Sequence, residues 1–291
     1  MDFTIGRNDF SVTVYVPWNC TNNCPFCSSK KDYERIPSDF EALKQSLYKI
    51  RESMLPIVVF TGGEPSSNIE MLKELLAIVD NKIVYINTSL PERNAAEFIN
   101  LVNSTDCIKG ISISRHRLSF KEDSRILRNI ARDAVITLIK KPVRINVVQE
   151  AEDSFDISNV EKYVKRWKYI AKAKGGPESL VLNLRGNYCL QDPRDLHDMT
   201  GSKVVNELAT RYYYNSHSFC NVCDTCVFEE VDENGNTEFV IQYHRGLMHT
   251  AIKFGNVIEL NDLIILQNGE ICYDWDGKNE GIEKFMEMIK E

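Results

Sequence analysis

The amino-acid sequence predicts an α/β fold, on three observations. Short runs rich in β-branched residues alternate with segments of helical spacing from Phe10 to Leu184. Six such strands recur, and strands alternating with helices imply βαβ units and a parallel sheet. After Leu184 the rhythm loosens, and beyond Ser218 short β-like runs take over, so a smaller C-terminal extension is expected. Six parallel strands build either an open curved sheet or a partial barrel. In both, ligands sit at the carboxyl ends of the strands.

The elements follow in order. Phe10–Pro17 alternates as a strand, and Ser38–Ile50 carries apolar residues at helical spacing behind Ser38 or Asp39 as a cap. Ile57–Phe60 is a short buried strand, followed by a helix over Ile69–Val79. Strand Ile83–Asn87 precedes helix Glu92–Val102, and strand Ile108–Ser114 precedes helix Lys121–Arg132. Strand Val143–Val148, helix Val160–Ala173 and strand Ser179–Leu184 complete the series. Beyond it, a short helix is expected at Asp192–His197 and a longer one at Lys203–Tyr214. Glu238–Tyr243, Val257–Leu260 and Leu263–Leu266 read as strands. The Asn268-Gly269 pair suits a hairpin turn, and a helix over Gly281–Lys290 follows.

The chain has 291 residues and a net charge of −7, long enough to bury a core without disulfides. No run of about 18 apolar residues offers a membrane span. The opening Met1-Asp-Phe-Thr-Ile-Gly-Arg shows no secretory pattern, so a cytoplasmic enzyme is expected. The acidic balance argues against bulk nucleic-acid binding. The nine cysteines are more informative: Cys20, Cys24, Cys27, Cys107, Cys189, Cys220, Cys223, Cys226 and Cys272. Their number is odd and six fall in two tight clusters, a distribution that suits metal sites better than disulfides.

The first cluster, Cys20-Thr-Asn-Asn-Cys24-Pro-Phe-Cys27, directly follows the first strand. Three thiolates at this spacing can wrap one face of a cubane iron–sulfur cluster, which normally takes four cysteines. One iron would then stay open to an outside ligand. A zinc knuckle or buried thiols are the plainer alternatives, although zinc usually takes paired CxxC halves. A second element, Thr61-Gly62-Gly63-Glu64-Pro65, ends the second strand. Alone it is a good turn; placed here, its glycines admit close backbone approach and Glu64 can accept from an ammonium.

The CxxxCxFC loop, with Phe26 before its last cysteine, resembles the signature of the radical S-adenosylmethionine (SAM) superfamily, and Gly62–Pro65 resembles that family's GGEP motif. The resemblance implies a partial (β/α)6 TIM-type barrel over residues 1–205. It implies a 4Fe–4S cluster on Cys20, Cys24 and Cys27, and S-adenosylmethionine held at the open iron with its amino group at Gly62, Gly63, Glu64 and Pro65. It further implies a reductant such as flavodoxin or ferredoxin, and a 5′-deoxyadenosyl radical that abstracts hydrogen from substrate. Ser112, Ser114 and Asn146 fall where family members place polar cofactor contacts; each is otherwise one inward polar residue of an ordinary strand.

The second constellation, Cys220-x2-Cys223-x2-Cys226 with Cys272 beyond it, can hold an auxiliary cubane or structural zinc in a C-terminal domain over residues 206–291. Its Phe219-Cys220-x2-Cys223 element, followed by a strand, Gly269 and Cys272, is similar to the auxiliary-cluster region of the molybdenum-cofactor GTP cyclase family. Cys226 and a longer insert depart from that pattern, which puts the cyclase reaction in doubt. Arg115 and Arg117, after the fourth strand, and Arg185, after the sixth, are candidates for binding a substrate anion, against a plain reading as solvated charges. His244 and His249 are weaker ligand candidates, and Tyr212–Tyr214 could stack on a base or fill a core.

Three function classes follow. A radical enzyme acting on a small nucleoside or nucleotide is favoured, and a general likeness to the queuine lyases extends it to queuosine 5′-phosphate. A radical modifier of peptides or proteins is the alternative. A non-catalytic iron–sulfur or zinc protein is disfavoured by the GGEP match.

Overall fold

The structure is a computed structural model describing residues 2–7, 9–27, 29–116, 129–149, 155–173, 175–186, 202–247 and 251–290. After a short strand β1 (Asp2–Ile5) come β2 (Ser11–Val16), β3 (Ile57–Gly62), β4 (Ile83–Thr88), β5 (Ile108–Ser114), β6 (Val143–Gln149) and β7 (Leu180–Gly186). The six from β2 onward pair in parallel and in chain order. A doubly wound sheet would reverse its order at a switch point; this one does not, so it can only keep curling one way. That is the partial barrel expected of the α/β reading.

The helices are α1 (Ser29–Arg35), α2 (Phe40–Arg51), α3 (Ile69–Ile78), α4 (Ala95–Ser104), α5 (Ile157–Ala171), α6 (Lys203–Ala209) and α7 (Ile282–Met288). Asp39 caps α2 by accepting from the Ala42 N–H (2.9 Å), and Asn68 and Asp156 cap α3 and α5 in the same way. Leu43 and Leu47 of α2, Leu72 of α3 and Trp167 of α5 join one core with the alternate strand residues Val12, Val14, Phe60, Ile113, Ile145 and Leu182. Truncating any of these core leucines to alanine should cost about 3 kcal/mol. The intervening strand residues therefore face the other, concave side.

The last third of the chain completes this sheet. It supplies β8 (Tyr213–Phe219), β9 (Cys223–Val231), β10 (Thr237–Gly246), β11 (Ala251–Phe254), β12 (Val257–Leu260), β13 (Asp262–Ile265) and β14 (Ile271–Cys272). β10 adds to β7 in parallel, with β9 and β8 antiparallel outside it; β13 adds to β2, and β14 closes a hairpin on β13. The result is one eleven-stranded sheet beside a small sheet of β1, β12 and β11. Asn221, between β8 and β9, donates to Glu259 of β12 (2.6 Å), so the far edge has curled back towards the start of the chain.

Several expectations need correction. The helix expected over Lys121–Arg132 lies largely outside the described residues, and Asn129–Arg132 is not helical. The helix expected over Lys203–Tyr214 stops at Ala209, and Tyr213 and Tyr214 open β8. Aromatic residues fit a pleated surface better than a helix. The Asp192–His197 segment lies outside the described residues. Helix α1 (SKKDYER) has no apolar stripe to betray it, and β9 was hidden because its cysteines read as a ligand cluster.

Candidate active site

The cysteine loop leaves β2 at its carboxyl end and is tied to three neighbouring strand ends. Trp18 Nε1 donates to the Glu64 carbonyl (2.7 Å) after β3, and Asn22 Nδ2 donates to Ser89 Oγ (2.9 Å) after β4. Phe26 sets its ring edge-on to His116 after β5, with centroids 4.7 Å apart. The residue before Cys27 is thus a clasp that holds the loop across the mouth of the sheet. Within the loop the Cys27 N–H reaches the Cys24 carbonyl (3.1 Å), and Cys20 Sγ accepts the Asn22 N–H (3.4 Å). All three cysteines are half-buried free thiols.

The glycines of the next turn are required by contact. Gly62 sits at φ +85°, and a Cβ there would meet the Tyr33 hydroxyl at 2.5 Å. A Cβ on Gly63 would stand 1.9 Å from the Trp18 carbonyl oxygen, inside any tolerable distance. Tyr33, on α1, donates to the Val16 carbonyl and accepts the Gly63 N–H (2.7 Å), so one phenol fastens the cysteine segment to the glycine turn. Its role was not legible in the sequence. Pro65 is buried at the first position of the short turn that follows.

Glu64 departs from its expected part. Its carboxylate is 2% exposed and accepts from the Ser66 N–H (3.2 Å) and hydroxyl (2.8 Å), the Ser89 N–H (2.7 Å) and hydroxyl (2.5 Å), and the Thr88 hydroxyl. With every lone pair taken, it braces the end of β3 against the end of β4.

Arg115 is likewise spent. At 4% exposure its guanidinium donates to Asp133 (2.8 Å) and to the carbonyls of Ser89 (2.8 Å), Ser114 (2.8 Å) and Ala131 (3.2 Å). It ties loops together and offers no fork to a substrate, contrary to expectation. Arg117, Cys189 and His249 lie outside the described residues. Ser112 and Ser114 stand half-buried on the concave face of β5, with Asn146 across from Ser114 on β6. Asn146 accepts from Asn183 of β7 (2.8 Å). Arg185 lies on the same face at the end of β7.

His116 is buried and accepts the Val148 N–H on Nδ1 (3.2 Å), which leaves its proton on Nε2. Burial, with the Arg115 and Arg185 charges behind it, lowers its pKa to about 3, so it is neutral. Burial also lifts the Cys20 thiol to about 11.

The residues fit a cubane. Three free thiols share a clamped loop, and one already accepts a backbone N–H. Among the described residues no three Cys, His, Asp or Glu side chains converge on one point. A cubane takes each thiolate at a separate iron, so it asks for no such convergence.

The second constellation does not assemble. Cys220 and Cys223 hold their sulfurs 2.6 Å apart, and the contact draws the Cys220 pKa down to about 6 and pushes Cys223 up. Cys226 is three residues along the same strand, on its other face, buried with Sγ 3.9 Å from the Tyr214 hydroxyl. Cys272 is fully buried in a separate apolar cluster with Tyr15, Ile264 and Leu266. In this structure Cys226 and Cys272 stand apart from the Cys220–Cys223 pair. Cys107 is a buried core thiol.

A model of the Radical SAM superfamily matches residues 16–141, the span from the end of β2 to the loop before β6. Those residues match a radical SAM domain. Such a domain implies a 4Fe–4S cluster and S-adenosylmethionine, and Cys20, Cys24 and Cys27 are the thiols this domain offers. In fold the chain is similar to SuiB of Streptococcus suis bound to its precursor peptide SuiA, at 15% identity and TM-score 0.55. It is similar to the same protein bound to S-adenosylmethionine, at 14% identity and TM-score 0.54. Those matches cover 90% of this chain but only 58% and 59% of the SuiB chains, so it spans less than two thirds of their length. No curated protein matches the chain. No helix among the described residues is long and apolar enough to cross a membrane.

Proposed function

We propose that this radical SAM protein reductively cleaves S-adenosylmethionine and abstracts hydrogen from a substrate laid against the concave face of its sheet. The clamp between the cysteine loop and the Gly62-Gly63 turn carries this reading. A cluster on Cys20, Cys24 and Cys27 would supply the electron that splits the sulfonium into methionine and a 5′-deoxyadenosyl radical. The protein's part is placement. Tyr33, Trp18 and Phe26 fix the loop, and Glu64 fixes the turn. Ser112, Ser114 and Asn146 line the wall beneath.

For the substrate we favour a peptide or protein segment. SuiB, similar in fold, has been solved with a precursor peptide. Strand β8 is exposed along its whole length and stands at the edge of the sheet, where an extended peptide can add as a further strand. The nucleotide reading, queuosine 5′-phosphate included, leaned on the compact size of the chain and an Arg115/Arg117 anion site, of which Arg115 is committed elsewhere.

The test is anaerobic reconstitution with iron and sulfide, reduction, and measurement of 5′-deoxyadenosine. The wild type should form it, and the variant with Cys20, Cys24 and Cys27 all changed to alanine should form none. Stimulation by nucleotides and not by peptides would sink the peptide assignment.

A further inference from the structure

His116 carries a hydrogen-bond donor that the fold itself does not use. It follows β5, whose pairing with β6 ends at Ser114 and Asn146. Its side chain takes over where that ladder stops, with Nδ1 accepting the Val148 N–H (3.2 Å). An imidazole that accepts on Nδ1 is neutral and carries its single proton on Nε2. Among the described residues nothing accepts a hydrogen bond from Nε2, yet the residue is only 6% exposed. Buried polar groups are nearly always paired, so this donor calls for an acceptor that the described chain does not supply.

Its place narrows what that acceptor is. Val148, near the end of β6, holds the ring on one side, and the Phe26 ring meets it on the other with centroids 4.7 Å apart. Phe26 precedes Cys27, so His116 stands where the wall of the sheet meets the cysteine loop. The charge beside it narrows the choice further. Asp133 pairs with Arg115 (2.8 Å) and also with Arg166. Two guanidinium groups share one carboxylate, and this trio keeps a net positive charge next to the imidazole. A neutral N–H beside a positive charge suits an anionic oxygen.

We propose that His116 donates its Nε2–H to the carboxylate of S-adenosylmethionine. This rests on the function proposed above and deepens it by naming a residue that binds the cofactor. A group at this place lies against the cysteine loop, which is where the amino-acid end of the cofactor belongs. Of the two charged groups on that end, the ammonium can only donate and the carboxylate can only accept. The Val148 bond fixes the tautomer that makes Nε2 the donor, so one ring links the end of β6 to the cofactor.

The test pairs two variants with two ligands, on the full chain reconstituted with iron and sulfide and left unreduced. The amide oxygen of asparagine falls near the Nδ1 position of histidine, and the amide of glutamine reaches the Nε2 position. His116→Asn therefore keeps the acceptor for Val148 and loses the donor, while His116→Gln keeps a donor and loses that acceptor. Affinity for S-adenosylmethionine, measured by equilibrium dialysis, should fall about tenfold or more in His116→Asn, the usual cost of losing a hydrogen bond to a charged group. It should fall less in His116→Gln, although chemical denaturation should find that variant the less stable of the two. Decarboxylated S-adenosylmethionine should bind wild type and His116→Asn with equal affinity. A merely structural imidazole predicts that affinity follows stability. That order overturns the proposal, as does unchanged affinity in His116→Asn, an equal loss of both ligands, or no saturable binding to wild type. If His116→Asn does not fold, His116→Gln carries the test: affinity within a few-fold of wild type is expected, and its collapse overturns the proposal. Saturable binding with no 5′-deoxyadenosine on reduction would defeat the proposed activity and leave this assignment standing.

Discussion

Two cysteine groups of nearly the same spacing meet opposite fates in this chain. Cys24 and Cys27 are separated by two residues in a loop, and so are Cys223 and Cys226 in strand β9. In the loop the backbone can turn all three sulfurs of the first group to one side, and strand-end contacts hold it there. In the strand, side chains alternate, so residues three apart point to opposite faces. Cys223 stays near Cys220 while Cys226 enters the core beside Tyr214. A spacing has chemical meaning only together with the backbone that carries it.

The sharpest way to break the first region is Gly63→Ala. The added methyl cannot coexist with the Trp18 carbonyl, so the glycine turn and the cysteine loop must part. We expect loss of reductive S-adenosylmethionine cleavage and destabilisation of about 3 kcal/mol or more, read by chemical denaturation. Full activity in this variant would mean that the clamp is dispensable.

The comparison is tested directly by paired serine variants. Cys27→Ser should lose most of the bound iron, whereas Cys226→Ser and Cys272→Ser should keep that iron and lose about 1–3 kcal/mol of stability by placing hydroxyls in apolar sites. Iron loss equal to that of Cys27→Ser in either buried-cysteine variant would restore a metal role to the second group.

Glu64→Gln keeps the shape but turns an acceptor into a donor opposite Ser66, Thr88 and Ser89. A cost of about 2 kcal/mol in stability is expected, with weakened cofactor binding following from a loosened turn. If Glu64 instead met the ammonium directly, affinity for S-adenosylmethionine would collapse while stability held.

A further prediction is a pH dependence. His116 is held at about 3 in the fold, below its ordinary 6.5, so the unfolded chain takes up the proton first as pH falls. Its contribution is complete above pH 6.5 and is lost between there and pH 3, at about 1.4 kcal/mol per pH unit. His116→Phe should flatten the acid limb of the stability curve by about one proton. An unchanged slope would show that this imidazole is not held neutral.

Much of the first region was legible because its physics is local. Alternation and capping residues marked β2 through β7, and the glycine turn announced a close approach. The partners that fasten it were not legible. Tyr33 sits on a helix without an apolar stripe, and Glu64 and Arg115 look like ligand-binding groups until their partners, distant in sequence, are known. In the last third, aromatic and cysteine residues could be read as helix, ligands or strand, and only pairing with β7 and β10 decided among them.

The placement of β13 has a consequence for how the molecule is made. β2 is completed by residue 16, yet its outer neighbour begins at Asp262, so one flank of the growing sheet stays unpaired until Asp262 and the residues after it have emerged. The other flank, at β7, likewise waits for Thr237 and the residues after it. A nascent chain halted between the two would present two bare strand edges. Synthesis, folding and protection from self-association are therefore coupled through the order in which edges are closed.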